Sequence, residues 1–305
     1  MTATYIAGAY GMVGRALARI CTSWVGRPHA QVDLRNPAAT LGHLQIGGCN
    51  RLIMAAGTVG GINYNAENQA QMLMDNTQMA LNVLWAASHT SQFKKVLYLG
   101  SSCIYPPSRD PIAEDALLSG RLEPTNEGYA LAKIVGVKLC QYLNEAEKSR
   151  RFIAAMPCNL YGPHDRFDEK RGHVVPSLIK RFHVAKETGD KYVTVWGSGM
   201  PWREFLYVGD LAEACFIILD KYKNKDNIPI NVGSGEECPV AELATLIAGV
   251  VGYRGKIRFD VLKPGGPIRK VLESSQIRKL GWSPKTKLQE GLEHTYAWAV
   301  ENGKL

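Results

Sequence analysis

Short apolar runs alternate with stretches of helical periodicity along the first two thirds of the chain. The apolar runs predict strands at residues 5–7, 51–55, 95–99 and 152–156, and the periodic stretches predict a helix from Val13 and helices at residues 73–88 and 129–147. Such alternation is typical of parallel strands joined by crossover helices. We therefore expect an α/β fold with a doubly wound parallel sheet.

The pattern becomes irregular after Pro157, because glycine and proline interrupt it at residues 161–163, 196–199 and 263–266. Interruptions of this kind mark loops. We expect a Rossmann-like sheet domain over residues 1–160, to which the chain returns at about residues 203–233. A smaller C-terminal substrate-binding lobe is predicted mainly over residues 161–305.

The composition is that of an ordinary globular protein. Of the 305 residues, 46% are hydrophobic and 21% are charged, which argues against a disordered, collagenous or coiled-coil chain. The longest apolar stretch, near residues 243–251, falls short of the roughly 18 to 20 residues that cross a bilayer. The N-terminus lacks the pattern of a signal peptide, and the seven cysteines are scattered without paired spacing. We therefore expect a cytoplasmic protein with no membrane partner and with reduced thiols.

The net charge of +8 arises from Lys and Arg residues that are spread along the chain without a basic block. A small polyanionic ligand, such as a nucleotide diphosphate, accounts for this charge as well as a nucleic acid does. We expect no nucleic-acid partner.

Three glycines, Gly8, Gly11 and Gly14, follow the first predicted strand and open the first predicted helix. Glycine at this spacing lets the backbone turn tightly and approach a pyrophosphate at the helix N-terminus, where the N–H groups and the helix dipole favour negative charge. The motif indicates a dinucleotide site. The alternative is a glycine-rich turn that binds nothing.

Tyr129 and Lys133 lie four residues apart on a predicted helix, so their side chains share one face. A nearby ammonium lowers the pKa of a phenol, which would let Tyr129 exchange a proton with a carbonyl oxygen. Ser101 follows the strand at residues 95–99, at the sheet edge where such folds place reactive groups. Taken alone, the Tyr and Lys pair is more typical of an ordinary helix face.

The order and separation of these three motifs resemble those of the extended short-chain dehydrogenase/reductase superfamily. Longer segments make the chain similar to the GDP-L-fucose synthase family within it, and they lie at residues 56–62, 100–106, 123–127, 159–165, 196–199 and 203–205. The resemblance covers nearly the whole chain. It implies an enzyme that epimerises and reduces a GDP-4-keto sugar with NADP(H).

The resemblance also implies catalytic roles. Ser101 would polarise the C4 ketone, Tyr129 would protonate its oxygen, and Lys133 would lower the pKa of Tyr129 and hold the nicotinamide ribose. Cys103 would be the base and His173 the acid of epimerisation at C3 and C5. Considered singly, Cys103 would be a small buried hydrophobe and His173 a hydrogen-bonded loop residue.

The binding residues implied by the resemblance fall into two sets. The cofactor set is Gly8, Tyr10, Gly11, Met12, Val13, Gly14, Lys133, Pro157, Asn159, Leu160 and His173. The substrate set is Arg181, Trp196, Arg203 and Lys263. Arginine suits a diphosphate because its planar fork donates two hydrogen bonds at once; a surface Arg and a core Trp are the alternatives. We predict no metal site.

Two segments depart from the family pattern. The second strand and its basic turn are cut short before residues 33–36, which look like the family's third-strand segment, and Tyr10 stands where Arg is common. The choice between NADPH and NADH therefore stays open, with Arg15, Arg27, His29 and Arg35 as candidate substitute ligands; Arg27 and His29 are more typical of solvated loop residues. The segment at residues 259–270, which includes Lys263, also differs from the family's usual form.

The sequence leaves three functions to distinguish. The first is formation of GDP-L-fucose from GDP-4-keto-6-deoxy-D-mannose. The second is C4 reduction of another GDP-4-keto-deoxysugar, such as a GDP-heptose, with or without epimerisation. The third is a dinucleotide-binding sensor or scaffold. By resemblance we expect a homodimer whose four-helix bundle uses helices at about residues 75–88 and 129–147.

Overall fold

The structure is a computed structural model that describes residues 3–45, 47–149, 151–168, 171–263 and 265–305. Pro264 of the predicted substrate loop lies outside the described residues. The strands are β1 (Ala3–Ala7), β2 (Trp24–Val25), β3 (Cys49–Met54), β4 (Lys95–Leu99), β5 (Phe152–Pro157), β6 (Asn159–Tyr161), β7 (Tyr192–Trp196), β8 (Trp202–Tyr207), β9 (Ile230–Val232), β10 (Glu237–Pro239), β11 (Lys256–Asp260) and β12 (Arg269–Lys270).

The α-helices are α1 (Met12–Ile20), α2 (Pro37–Leu44), α3 (Ile62–Glu67), α4 (Gln69–Ser88), α5 (Glu127–Ala146), α6 (Val174–Thr188), α7 (Val208–Lys221), α8 (Val240–Val251), α9 (Ser275–Lys279) and α10 (Leu288–Glu301). Short 3₁₀ helices lie at Ser102–Ile104, Glu114–Ala116 and Pro124–Asn126. In the part of the chain that the structure describes, no helix is long and apolar enough to span a membrane.

The main sheet has six parallel strands in the order β2-β1-β3-β4-β5-β9. Helices α2, α4 and α5 pack together on one side of the sheet, and α1 packs with α7 on the other. Because both faces are covered, the central strands are almost entirely apolar rather than alternating, and every residue of β5 is buried. The predicted α/β, Rossmann-like doubly wound sheet is confirmed.

A second hydrophobic core lies among α6, α8, α10 and the strands β7 and β8, around side chains such as Phe182, Leu243 and Leu292. Strand β8 pairs with β10, β12 and β6, so it joins residues 202–207 to segments from three other parts of the chain. Strands β7 and β11 form a separate parallel pair. Through β8, strand β12 lies near β6, which follows the end of β5 in the main sheet.

The predicted elements agree with the structure within a few residues, and the strand at Lys95–Leu99 matches exactly in its bounds. The N-terminal region agrees with the sequence in one respect and differs in another. The second strand is cut short, as predicted, and is only two residues long, at Trp24–Val25. Residues 33–36 form no strand; Asn36 instead caps α2, accepting a hydrogen bond from the backbone N–H of Ala39 (2.9 Å). The sheet therefore ends at β2 on this side.

Candidate active site

The glycine turn between β1 and α1 is built for close backbone approach. Gly8 has φ of +85°, and a Cβ there would come within 2.7 Å of the Ala56 backbone. A Cβ on Gly14 would overlap the carbonyl oxygen of Gly8. Gly11 caps α1 without a side-chain hydrogen bond, which leaves the positive end of the helix open to an anion. The predicted residues Met12 and Val13 form the first turn of this helix.

The turn lies beside the point where the strand order reverses. From β1 the chain proceeds to β2 on one side, and β3 lies on the other, so a crevice opens at the carboxyl ends of β1 and β3. Residues after β3 line it: the N–H of Thr58 donates to Oδ1 of the buried Asn76 (2.9 Å). A Cβ on Gly57 would lie 3.6 Å from Nζ of Lys133, which places Lys133 at the same crevice.

Lys133 is held by the end of β4. Its buried ammonium donates a hydrogen bond to the carbonyl oxygen of Leu99 (2.8 Å) and lies 5.2 Å from the ring centre of Tyr98 and 5.7 Å from that of Tyr129. Burial lowers the pKa of Lys133 to about 8, although the nearby Cys103 acts in the opposite direction.

Tyr129 and Ser101 also come together. Burial and then the Coulomb effect of Cys103 raise the pKa of Tyr129, and a hydrogen bond with Ser101 opposes this rise. Burial is the largest influence on the pKa of Tyr129, and the Lys133 ammonium lies beside the Tyr129 ring.

Cys103 has a cationic partner that the sequence analysis missed. It lies in the 3₁₀ helix after β4, where its N–H donates to Oγ of Ser101 (3.2 Å). The ammonium of Lys270, on β12, lies 3.0 Å from the Cys103 sulfur. Burial raises the pKa of the Cys103 thiol, but Lys270, Ser101 and His173 together outweigh burial and lower it below its ordinary value.

His173 has an anionic partner that was also missed. Oδ1 of Asp165 lies 4.0 Å from Nδ1 of His173, an ion-pair separation rather than a hydrogen bond, and the Asp165 side chain is only 7% exposed. Burial lowers the pKa of His173, but Asp165 and Cys103 outweigh it and raise the pKa overall. Asp165 ends the family-like segment at residues 159–165, and Lys270 ends the segment at residues 259–270. Their places in these two segments were the signal that the sequence offered for these partners.

The predicted substrate residues form two contacts. The guanidinium of Arg181 and the ammonium of Lys263 lie 5.1 and 5.8 Å from the ring centre of Trp196. Arg203 donates to the carbonyl oxygens of Gly265 (3.0 Å) and Pro267 (2.7 Å). Burial lowers the pKa of Arg203, and Glu123 and Cys103 act against this effect.

The remaining predicted cofactor residues lie at the end of β5, in β6 and in the turn after β1. Pro157 ends β5, and Asn159 and Leu160 belong to β6, where the Asn159 amide donates to the carbonyl oxygen of Glu204 (2.8 Å). Tyr10 is exposed, and Nε of Arg15 donates to its carbonyl oxygen (3.1 Å).

The residues predicted to replace the family's basic cofactor ligands have different surroundings in the structure. Arg35 forms ion pairs with Asp33 (2.8 Å) and Asp75 (3.2 Å), so its charge is already balanced. His29 lies 3.9 Å from Asp33. The guanidinium of Arg15 lies 5.8 Å from the ring centre of Tyr10, beside the glycine turn. Arg15 thus lies beside the glycine turn, whereas Arg35 is paired with two carboxylates.

Comparison with known proteins places this geometry in context. Residues 4–233 match the model of the NAD dependent epimerase/dehydratase family. The chain is 45% identical over 304 residues to a probable GDP-L-fucose synthase 1 of Oryza sativa subsp. japonica, covering 98% of this chain and 92% of the relative. Two solved structures are similar at 26% identity: a GDP-L-fucose synthetase from Naegleria fowleri bound to NADP (TM-score 0.89, covering 99% and 95% of the two chains) and a GDP-6-OMe-4-keto-L-xylo-heptose reductase from C. jejuni (TM-score 0.93, covering 99% and 98%).

Proposed function

Because this chain belongs to the NAD dependent epimerase/dehydratase family, we propose that it converts GDP-4-keto-6-deoxy-D-mannose into GDP-L-fucose with NADP(H). One observation carries the proposal. The N–H of Cys103 donates to Oγ of Ser101 (3.2 Å), its sulfur lies 3.0 Å from the Lys270 ammonium, and the charges of Lys270 and His173 favour its thiolate. Groups suited to ketone reduction and groups suited to epimerisation thus share one site.

The crevice fits a dinucleotide. A Cβ on Gly8 or Gly14 would overlap neighbouring backbone atoms, so glycine keeps this turn tight, and the N-terminus of α1 begins directly after it. When bound, the nicotinamide supplies the hydride for C4. Lys133, at the neighbouring strand ends, is placed to hold the nicotinamide ribose.

Epimerisation is assigned to Cys103 and His173. The Cys103 thiolate takes the proton from C3 or C5, the C–H bond breaks, and its electron pair moves towards the C4 oxygen as an enolate. The protonated His173 then donates a proton to the opposite face of that carbon. Each epimerisation protonates one sulfur and deprotonates one imidazole, so both groups exchange protons with solvent before the next.

Reduction is assigned to Ser101, Tyr129 and Lys133. The Ser101 hydroxyl donates a hydrogen bond to the C4 oxygen, and Tyr129 donates the proton that this oxygen needs as the carbonyl becomes an alcohol. A raised pKa keeps the Tyr129 phenol protonated and thus ready to donate. The buried Lys133 ammonium stabilises the phenolate that follows.

The second core and its loops are proposed as the nucleotide-sugar lobe, over residues 161–305. Trp196, flanked by Arg181 and Lys263, offers a flat apolar face between two cations, which suits a guanine base and its diphosphate. Arg203 holds the loop at residues 265–267 through hydrogen bonds to its backbone carbonyls.

Two helices carry an unpaired apolar face that supports the proposed homodimer. Met74, Leu81 and Trp85 on α4 and Leu131, Val135 and Tyr142 on α5 are exposed large hydrophobic residues at helical spacing. Since α4 and α5 pack side by side, a second copy would complete a four-helix bundle. Trp85→Glu should yield monomers in light scattering, and Trp24→Glu, exposed elsewhere, should not. Unchanged dimers in Trp85→Glu would contradict this interface.

The cysteines favour a reducing compartment. All seven are free thiols, and five of them are buried. We propose a cytoplasmic location, which fractionation of cells that express the tagged protein would test. Recovery of the protein with disulfide bonds from an oxidising compartment would contradict it.

The test of the activity is incubation with GDP-4-keto-6-deoxy-D-mannose and NADPH or NADH in deuterated water. Oxidation of NADPH, with deuterium at C3 and C5 of the product, supports the proposal. Cys103→Ser should abolish the deuterium, and Tyr129→Phe should abolish cofactor oxidation. No oxidation with either cofactor would overturn the proposal.

The structural similarity to a C. jejuni heptose reductase favours a second candidate, C4 reduction of a GDP-4-keto-heptose. Higher identity to the GDP-L-fucose synthase from rice favours the first. Oxidation of NADPH without deuterium incorporation, or faster turnover of the heptose, would support the second.

A further inference from the structure

We propose that Lys270 is a positioning residue that holds Cys103 as a thiolate, ready to accept the substrate proton; this rests on the function proposed above. Lys270 would thereby serve the epimerisation and not the reduction. The two residues are 167 positions apart in the chain, and only the tertiary fold brings them together.

The contact itself is direct. The Lys270 ammonium lies 3.0 Å from the Cys103 sulfur, which is within hydrogen-bond distance of a sulfur acceptor. Both residues are half-buried, so solvent screens their attraction less than it would at the surface. An ammonium at this distance favours the charged form of a thiol.

Other groups that act on Cys103 come from several elements, and they are Ser101, Tyr129, Lys133, His173 and Arg203. Of these, Ser101 makes a hydrogen bond within the same 3₁₀ turn. The largest favourable effect on the thiolate is the Coulomb attraction of Lys270. The Coulomb attraction of Lys270 is therefore the main reason that the pKa of Cys103 is lowered, although burial alone would raise it.

The backbone around Lys270 is fixed from both sides. Nε of Arg269, the preceding residue, donates to Oε2 of Glu237 (2.8 Å). Two residues further on, the N–H of Leu272 donates to the buried Glu204 carboxylate (3.0 Å). Lys270 itself pairs in register with Arg203 of β8. The ammonium is thus pre-positioned and does not depend on bound substrate to reach the sulfur.

The first experiment measures the ionisation of Cys103 without substrate. The rate of alkylation by iodoacetamide is followed against pH in a Cys21→Ser background, because Cys21 is the other partly exposed cysteine, and mass spectrometry locates the adduct. In Lys270→Met the midpoint should rise by about one pH unit or more. Lys270→Arg should keep a lowered midpoint, and so should the control Lys256→Met, on exposed β11.

An unchanged midpoint in Lys270→Met would overturn the proposal. Because no substrate or cofactor is present, this outcome is independent of whether the proposed function holds. A midpoint that rises equally in Lys270→Arg and in Lys256→Met would also overturn it, since the effect would then not depend on a cation at this place.

The second experiment separates positioning from substrate binding. Deuterium incorporation at C3 and C5 should fall at least about tenfold in Lys270→Met near neutral pH, and the acidic limb of its pH profile should move to higher pH, because the thiol without its cation ionises only there. The KM for the GDP-sugar should change little. A raised KM with an unmoved acidic limb would instead make Lys270 a substrate ligand and would refute its role towards Cys103.

Discussion

The carboxylate of Asp165 lies 4.0 Å from Nδ1 of His173, and its other oxygen, Oδ2, is buried without a hydrogen-bond partner among the described residues. Oδ1 is held by the N–H of Arg166 (2.7 Å). An anion in this place favours the imidazolium of His173, just as the Lys270 ammonium favours the thiolate of Cys103, so the proposed acid and the proposed base have partners of opposite charge.

Asp165→Asn should shift the alkaline side of the epimerisation pH profile to lower pH. The pKa of His173 is raised in the native protein, so the protonated acid is lost only as pH rises through that raised value. Without the carboxylate the pKa falls, and the acid is lost about one unit earlier. Deuterium incorporation at C3 and C5 against pH measures this. Asp190→Asn, at the far end of α6, is the control; a profile that moves equally in both variants would contradict the role of Asp165.

Gly14→Ala should abolish NADP(H) binding. The added Cβ would overlap the Gly8 carbonyl and the Ala9 backbone, so the turn would open and the helix N-terminus would leave the crevice. Calorimetric titration with NADPH measures the loss.

The matched control is Gly249→Ala on α8, where the new Cβ meets nothing within 4 Å. It should bind NADPH normally and raise the free energy of unfolding by about 0.5 to 1 kcal/mol, because alanine favours a helix interior more than glycine does. Wild-type affinity in Gly14→Ala would show that the turn does not hold the cofactor.

Tyr129→Phe should separate the two reactions. Removal of the proton donor should slow C4 reduction by roughly 10²- to 10⁴-fold, whereas deuterium exchange at C3 and C5, assigned to Cys103 and His173, should persist. Nicotinamide absorbance reports the first rate and NMR of the recovered sugar the second. Equal loss of both rates, with NADPH still bound, would contradict the assignment of reduction to Tyr129 and of epimerisation to Cys103 and His173.

Glu204→Gln should weaken the junction between the two cores. The fully buried carboxylate accepts from the N–H groups of Gly235 (2.7 Å) and Leu272 (3.0 Å), and an amide can accept from only one of them because its NH₂ group faces the other. Leaving one buried donor unpaired should cost about 1 to 3 kcal/mol in urea unfolding. Glu213→Gln, on the surface beside Lys285, should change stability by less than about 1 kcal/mol. Equal stability of the two variants would refute the role of Glu204.

Residues that act through local geometry could be identified from the sequence alone. The turn at Gly8 and Gly14 depends on the absence of a side chain, and the shared face of Tyr129 and Lys133 follows from helical spacing. The parallel sheet followed from apolar runs long enough to be buried on both faces. These features depend on neighbours a few residues apart, so the pattern of the chain contains the information.

Features that depend on distant pairings could not be derived in this way. Lys270 reaches Cys103 only because β12 pairs with β8, and Arg203 holds the loop near Gly265 only because that loop folds over β8. The pKa of Tyr129 is likewise raised by burial in the assembled site. The sequence by itself determined the fold class and the candidate reactive side chains, whereas the tertiary structure decided their charge partners and burial, because both depend on which distant segments pack together.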